Sequence, residues 1–234
     1  MEMAAFGLLV VCYALAAYLA WAQRTPIYLI ALLSGHLSAL ASPLWRTFYN
    51  FDYSLGLMSV RALFDQALPR SLILAAGWFY PLPAMIVYFL YRTRWWFPGL
   101  LTGILTFLIF LLYHLLIETL GLRQGLWSYR ETALPLGLSA PILASLMTGM
   151  VSYGLLYAML VADRYSWQSM LLALLPITLV LSILINGLLG APFLLTTLFS
   201  DEPLASTIGL GLTLALLLWA FQIITSGIAR LEHE

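Results

Sequence analysis

A histidine and a carboxylate lie one helical turn apart in a stretch of mostly apolar side chains. His114 and Glu118 are four residues apart, so a helix places both on one face. An ionisable side chain within a membrane-spanning helix is costly to bury and points to function. The alternative is that Glu118, about 30 Å along the helix from Pro98, lies in headgroup water and pairs with Arg123 or Arg130.

His36 is the second candidate for proton transfer. It lies about ten residues into the second predicted helix, between two serines. One hypothesis is that it points into the same cavity as His114 and Glu118. The other is that a serine or a carbonyl of a neighbouring helix satisfies it. His36, His114 and Glu118 are the ligand types of a two-histidine, one-carboxylate metal centre. Because the other histidine, His233, lies in the tail and a second His/Glu motif is missing, we predict no metal site.

Further polar and aromatic residues extend this candidate site. Asp52, within TFYNFDYS, either faces the cavity mouth as a second carboxylate or belongs to an interfacial aromatic belt. We predict Glu118, His114, His36 and Asp52 as catalytic. We predict that three aromatic and two polar residues bind the substrate: Trp127, Tyr129, Phe110, Arg130 and Asn186.

The chemistry open to these residues is proton transfer on a lipophilic molecule. The sequence has no GxSxG motif, phosphate-binding glycine loop or aspartate-rich diphosphate motif, and its single cysteine, Cys12, excludes an intrachain disulfide. A carboxylic acid in an apolar site can stay protonated near neutral pH and protonate an alkene. Aromatic faces then stabilise the carbocation. We expect Glu118 to be the acid and His114 its orienting or relay partner, with no cofactor.

The elements that must position these residues are membrane-spanning helices. The 234 residues are 63% hydrophobic and 9% charged, with a mean hydropathy of +0.97. Soluble domains carry about 25% charged residues. A spanning helix needs roughly 20 apolar residues, and about seven such stretches fit. The sequence therefore predicts an all-α polytopic membrane helical bundle, a single integral-membrane domain over residues 1–234. The zero net charge gives no case for nucleic-acid binding.

Short connections and longer segments alternate between the predicted spanning helices. One longer segment follows each of the second, fourth and sixth helices. The longer segments are 46–70, with an amphipathic piece at 57–68 expected at the membrane interface, 122–136, and a polar-tipped loop at 191–204. The helices are expected at about 3–22, 27–45, 71–91 (kinked by Pro81 and Pro83), 98–121, 137–161, 169–190 and 205–229.

Arginine placement gives the expected orientation. Each side of the membrane carries five arginines. Those on the side of the C-terminus lie in very short turns, where the positive-inside bias acts most cleanly. We expect an integral protein of a bacterial cell membrane with a cytoplasmic C-terminus. The five arginines of that side are Arg24, Arg92, Arg94, Arg164 and Arg230.

Two family resemblances bear on function. The segment HxxxExxGxxxGxWxY, formed by His114, Glu118, Gly121, Gly125, Trp127 and Tyr129, resembles the signature of membrane carotenoid hydratases. The continuation LPLGLSAPIL at 134–143 is similar to the next segment of that family. The same element, with ASPLWRTFYNFDYS at 41–54, resembles the spiroketal-forming AveC-like membrane proteins. Both resemblances imply acid–base work on a hydrophobic polyene, isoprenoid or polyketide, by hydration, dehydration, cyclisation or isomerisation.

Two other functions remain open from the sequence. The chain could be a non-catalytic subunit of a larger membrane complex that holds a pigment or quinone, since its aromatic residues and very small extramembrane parts suit packing against partner membrane subunits. It could also be a small transporter or sensor, although paired broken helices in corresponding halves are missing. In every case the expected partners are the lipid bilayer and a lipophilic small molecule, substrate or pigment.

Overall fold

The fold is an all-α polytopic membrane helical bundle, as the composition predicts. The computed structural model describes residues 2–49, 51–54, 59–61, 67–130, 132–163, 172–200 and 202–231. Within these residues seven helices are long and apolar enough to cross a membrane, and they end within a few residues of the predicted bounds. They cover Ala5–Gln23, Ile27–Trp45, Arg70–Arg92, Leu100–Arg123, Ala140–Ala162, Leu172–Leu189 and Pro203–Arg230.

Several spanning segments are built from more than one helical piece. The helices are α1 Glu2–Gln23, α2 Ile27–Ser38, α3 Ser42–Phe48, α4 Arg70–Phe79, α5 Pro81–Arg92, α6 Leu100–Arg123, α7 Ala140–Ala162, α8 Ile177–Ser182, α9 Ala191–Phe199 and α10 Pro203–Arg230. Short 3₁₀ turns cover Ala39–Ala41 and Pro135–Gly137, and a π-helix covers Ile183–Leu189. The short strands are β1 Phe51–Tyr53, β2 Ser59–Arg61, β3 Ala67–Pro69 and β4 Trp127–Tyr129.

By its contacts the chain divides into two compact units. The first contains Met1–Pro43, Leu55–Phe97 and Val151–Leu181. In it α1 and α2 pack on α4, and α2 also packs on α5. Gly35 of α2 lies against the Ala76 carbonyl and the Pro81 ring, where a larger side chain would not fit. Ser34 Oγ donates to Thr178 Oγ1 at 2.7 Å, so this buried hydroxyl has its partner within the same unit.

The second unit contains Leu44–Ser54, Pro98–Met150 and Ser182–Glu234. In it α10 packs on α6 and α9, and β1 pairs with β4. Phe107 of α6 and Phe221 of α10 have ring centroids 4.8 Å apart. This unit carries His114, Glu118, Asp52 and Asn186. The expectation of a single membrane domain stays a prediction.

The connection 191–204 was predicted as a loop, and this was wrong. Its first part, Ala191–Phe199, forms α9. This helix has Pro192 in its first turn and packs on α10. Gly209 of α10 lies against Thr196 and the Pro192 carbonyl, and Phe193 N–H donates to Thr213 Oγ1 at 3.1 Å. The short apolar run forms a helix because α10 covers one of its faces. Asp201, expected at the loop tip, lies outside the described residues.

The segment 57–68 was predicted as one amphipathic helical piece at the interface. Its described parts differ from this prediction, because β2 pairs antiparallel with β3, with Val60 opposite Leu68. The residues between the two strands, 62–66, include Asp65 and lie outside the described chain, as do His233 and Arg164. A short apolar run fits the helical and the strand period alike, so spacing alone did not separate them.

The third spanning segment is interrupted just before Pro81, where the sequence predicts a kink. Helix α4 ends at Phe79, and α5 begins at Pro81, with Tyr80 joining them in helical conformation. Proline has no N–H and fits the first turn of a helix. The third spanning segment is therefore two stacked helices.

Candidate active site

One face of α6 is buried along its whole length, and the two candidate proton-transfer groups lie on it. Its buried residues recur every three or four positions: Gly103, Thr106, Phe110, His114, Glu118 and Gly121. His114 is fully buried and Glu118 is 8% exposed. The predicted shared face is confirmed, and Glu118 lies in the protein interior rather than in headgroup water.

The C-terminus of α6 reverses the chain back over Glu118. Gly125 has φ +64°, a left-handed conformation that glycine adopts without strain. Leu126 N–H donates to the Gly121 carbonyl at 2.9 Å, and Gly125 N–H donates to the Leu122 carbonyl at 3.0 Å. These two bonds form a Schellman motif, which terminates helices at a left-handed residue. The second glycine of the sequence segment thus sets the direction of the strand that follows.

The returning strand β4 holds the Glu118 carboxyl group. Trp127 Nε1–H donates to Glu118 Oε2 at 3.0 Å, and Tyr129 O–H donates to the same oxygen at 3.0 Å. Alternate residues of a strand point to one side, so both reach Glu118 while Ser128 is exposed. Gly121 faces the Trp127 indole so closely that a Cβ there would overlap the ring. The first glycine of the segment therefore makes room for the indole.

Strand β1 pairs with β4 and holds it in place. Phe51 pairs with Tyr129, Asp52 with Ser128, and Tyr53 with Trp127. The Phe51 and Tyr129 ring centroids are 5.9 Å apart. The aromatic loop and the glycine segment, separated by about 70 residues in sequence, thus form one two-stranded ribbon over the carboxyl group.

Arg130 and Asp52 form an ion pair on the outside of this ribbon. Arg130 Nε–H donates to Asp52 Oδ2 at 3.4 Å, and both side chains are substantially exposed. The alternative in which Arg130 pairs with Glu118 is therefore wrong. Since exposed ion pairs contribute little stability, this pair orients the two strands more than it stabilises them. The side chain of Arg46, six residues before Asp52 in the sequence, lies outside the described side chains.

Tyr129 stays a neutral hydrogen-bond donor at physiological pH. Burial raises the pKa of Tyr129 well above its usual range, and the negative charge that Glu118 can carry raises it further. Burial likewise raises the pKa of Tyr49. Both phenols therefore keep their protons, and Tyr129 can act on Glu118 only by donating a hydrogen bond.

His36 belongs to the other compact unit and has a partner there. Its Nδ1 lies 3.0 Å from the Ile73 carbonyl oxygen. A carbonyl oxygen only accepts, so Nδ1 carries a proton. The imidazole fills the space that Gly77 leaves and stacks with Tyr13, with ring centroids 6.0 Å apart. The interpretation of His36 as a histidine satisfied by a carbonyl of a neighbouring helix is confirmed. Its place in a cavity with Glu118 stays a prediction.

Asn186 lies in a π-helix, a feature that no motif of the sequence predicts. The sixth spanning helix changes from α to π over Ile183–Leu189. Asn186 Nδ2–H donates to the Ser182 backbone carbonyl at 3.0 Å. The Asn186 backbone carbonyl accepts a hydrogen bond from Tyr49 O–H at 2.7 Å. Trp45 Nε1–H donates to Ser182 Oγ at 2.9 Å. Short π-helices frequently lie at functional sites, so Trp45, Tyr49 and Ser182 join the candidate residues.

Within the described ranges, no group of three or more His, Cys, Asp or Glu side chains is arranged to hold an ion.

No family model, curated protein or solved structure matches the chain.

Proposed function

We propose that the chain is a membrane-embedded acid–base enzyme that acts on a lipophilic polyene, isoprenoid or polyketide. The observation that carries the proposal is the environment of Glu118. This carboxyl group is buried, and in the described part of the chain its hydrogen bonds come from two neutral donors, Trp127 and Tyr129, rather than from an arginine. Burial without a cation favours the protonated acid, which is the form that can protonate an alkene.

Both hydrogen bonds end on the same carboxyl oxygen, which favours a proton on the other. Trp127 and Tyr129 both donate to Oε2, so Oε2 supplies lone pairs and the proposed acidic proton is on Oε1. Donors that stay in place as Oε2 gains negative charge stabilise the carboxylate formed by proton transfer. Their geometry is set in advance by the ribbon and the Schellman turn, so little reorganisation is needed.

The proposed reaction balances with water as the second reactant. The Glu118 Oε1–H bond breaks as its proton adds to one alkene carbon, and the adjacent carbon becomes a carbocation. Aromatic rings near the carboxyl group stabilise this cation. Water then forms a C–O bond to the cation, and one of its protons returns to Glu118, directly or through His114. Loss of a proton from the cation instead gives an isomer, and attack by a second double bond gives a ring.

The resemblance to membrane carotenoid hydratases and AveC-like proteins supports the substrate class. The residues that carry this resemblance include those that surround Glu118, since Gly121, Gly125, Trp127 and Tyr129 each have a geometric task there. The proposal also places the protein in a bacterial cell membrane. The proposed position of the C-terminal end of α10 in the cytoplasm rests on the arginines of the short turns.

The test is product analysis in a host that accumulates linear polyenes. Wild type, Glu118→Gln and the control Glu202→Gln are expressed, and lipid extracts are analysed by mass spectrometry and absorption. Glu202 is exposed beside the N-terminus of α10, so its substitution removes a carboxylate without touching the buried site. We expect a product that differs by one water, or an isomer with a shortened chromophore, in wild type and control only.

Product that persists in Glu118→Gln refutes the assignment of Glu118 as the acid. Extracts that are unchanged in all three strains, together with a purified protein that carries an unmodified pigment or partner chains, favour the non-catalytic subunit instead.

A further inference from the structure

A cleft lies at the end of α5, in the compact unit that does not contain Glu118. Its volume is about 460 Å³. Cationic, aromatic and one acidic side chain line it: Tyr91, Arg92, Arg94, Trp96, Phe97 and Asp163. The lining has one more positive than negative charge, and three of its six side chains are aromatic. This composition favours an anionic ligand that also carries carbon.

Arg92 is committed to the protein itself. Its Nη1 donates to both Asp163 oxygens at 3.1 Å, and its Nη2 donates to the Gln23 carbonyl at 3.1 Å. Tyr88 O–H donates to Asp163 Oδ1 at 2.8 Å. These bonds join the ends of three spanning helices, and the charge of Asp163, which lines the cleft, is balanced by Arg92.

Arg94 is the cation that remains for a ligand. Within the described chain no ion pair or side-chain hydrogen bond engages it. Its φ is +61°, the left-handed position of a second Schellman motif, in which Trp95 N–H donates to the Leu90 carbonyl at 2.8 Å. Glycine is the usual residue at such a position. An arginine here places a guanidinium at the cleft at some cost in backbone strain.

Arg94 lies just beyond the end of a spanning segment, beside exposed aromatic side chains. Helix α5 ends here as the third spanning segment, and Trp95 and Phe97 are 82% and 61% exposed. Tryptophan and tyrosine gather at the membrane–water boundary, and basic pockets between spanning helices bind anionic lipid headgroups. We propose that the cleft binds an anionic phospholipid, with Arg94 on the phosphodiester and Tyr91, Trp96 and Phe97 against the glycerol and first acyl carbons.

The chain offers a matched control for this site. Arg24 has φ +53° and lies in the same kind of turn after α1, where Thr25 N–H donates to the Ala20 carbonyl at 3.1 Å. It is exposed and does not line the cleft. Arg24→Gln and Arg94→Gln therefore remove the same charge from the same backbone conformation, and only the second removes it from the cleft.

The experiment measures lipid binding to the full chain purified in mild detergent. Phosphatidylglycerol and phosphatidylcholine with identical acyl chains are titrated separately, and bound lipids are counted by native mass spectrometry. We expect wild type, Arg24→Gln and Arg94→Lys to prefer phosphatidylglycerol, and Arg94→Gln to bind it about five-fold more weakly, the effect of about one interfacial cation. Phosphatidylcholine binding stays the same in all four proteins.

Three results would overturn the proposal. The first is equal binding of both lipids by wild type, which needs no variant and holds even if Arg94→Gln fails to fold. The second is an equal loss in Arg24→Gln and Arg94→Gln, which would reflect general surface charge. The third is displacement of phosphatidylglycerol by glycerol 3-phosphate at similar concentration, which would indicate a site for a soluble phosphate ester.

Discussion

The hydrogen bond from Trp127 to Glu118 can report whether the buried carboxyl group is protonated. Trp127→Phe keeps most of the ring but removes the Nε1 donor that lies 3.0 Å from Oε2. A hydrogen bond to a neutral acceptor contributes about 0.5–1.5 kcal/mol, and one to a charged acceptor about 1.5–3 kcal/mol. The cost of losing this donor therefore depends on the charge of Glu118, and an acid catalyst must be uncharged before it reacts.

A double-mutant cycle isolates how much the cost of losing the Trp127 donor depends on the charge of Glu118. The free energy of unfolding is measured in mixed micelles at neutral pH for wild type, Trp127→Phe, Glu118→Gln and the double variant. The glutamine amide oxygen is a neutral acceptor at the same place, and the effect of the smaller ring cancels between the two backgrounds. We expect Trp127→Phe to cost the same in both backgrounds, within about 0.5 kcal/mol, because a protonated Glu118 is also neutral.

The opposite result refutes the reasoning. If Trp127→Phe costs about 1 kcal/mol or more beyond its cost in the Glu118→Gln background, Glu118 is ionised in the resting protein. It would then act as a base or a structural acceptor, and alkene protonation by this residue would be ruled out. Tyr129→Phe gives a second cycle, since its hydroxyl reaches the same oxygen.

Two further predictions follow from the packing, and a third follows from the arginines of the short turns. Gly121→Ala should displace the Trp127 indole and lower stability by about 1–3 kcal/mol through overpacking, seen as a shift of the unfolding midpoint and of tryptophan fluorescence; an unchanged spectrum contradicts it. Thr213→Val should cost about 1–3 kcal/mol by leaving the Phe193 N–H buried without a partner, and protease cleavage within α9 should increase, whereas unaltered cleavage would argue against this contact. Reporter fusions after Arg230 should be active in the cytoplasm, and periplasmic activity would reverse the orientation.

The helices follow from composition and spacing. An apolar run of about 20 residues has no low-energy alternative to a helix in lipid, because each backbone N–H and C=O must be paired within the segment. The shared face of His114 and Glu118 follows from the helical repeat in the same way. These features depend on neighbouring residues in sequence, so the sequence alone predicts them.

The shorter elements depend on what covers them. The run at 191–199 is a helix because α10 buries one side of it, and 57–68 departs from its apparent helical period because β2 pairs with β3. The π-helix at Ile183–Leu189 is accompanied by a hydrogen bond from Tyr49, about 140 residues earlier. Local propensity is too weak to decide such cases against tertiary contacts.

The amino-acid sequence by itself determined that this is a membrane protein with seven spanning helices, that His114 and Glu118 share a face, and that a longer connecting segment follows them. Only the tertiary structure decided the partners of these residues. Glu118 binds Trp127 and Tyr129 because the Schellman turn and strand β1 hold β4 against it, while Arg130 turns outward to Asp52. Spacing places a side chain on a face, but a hydrogen bond requires two elements to meet, and their meeting is set by packing across the fold.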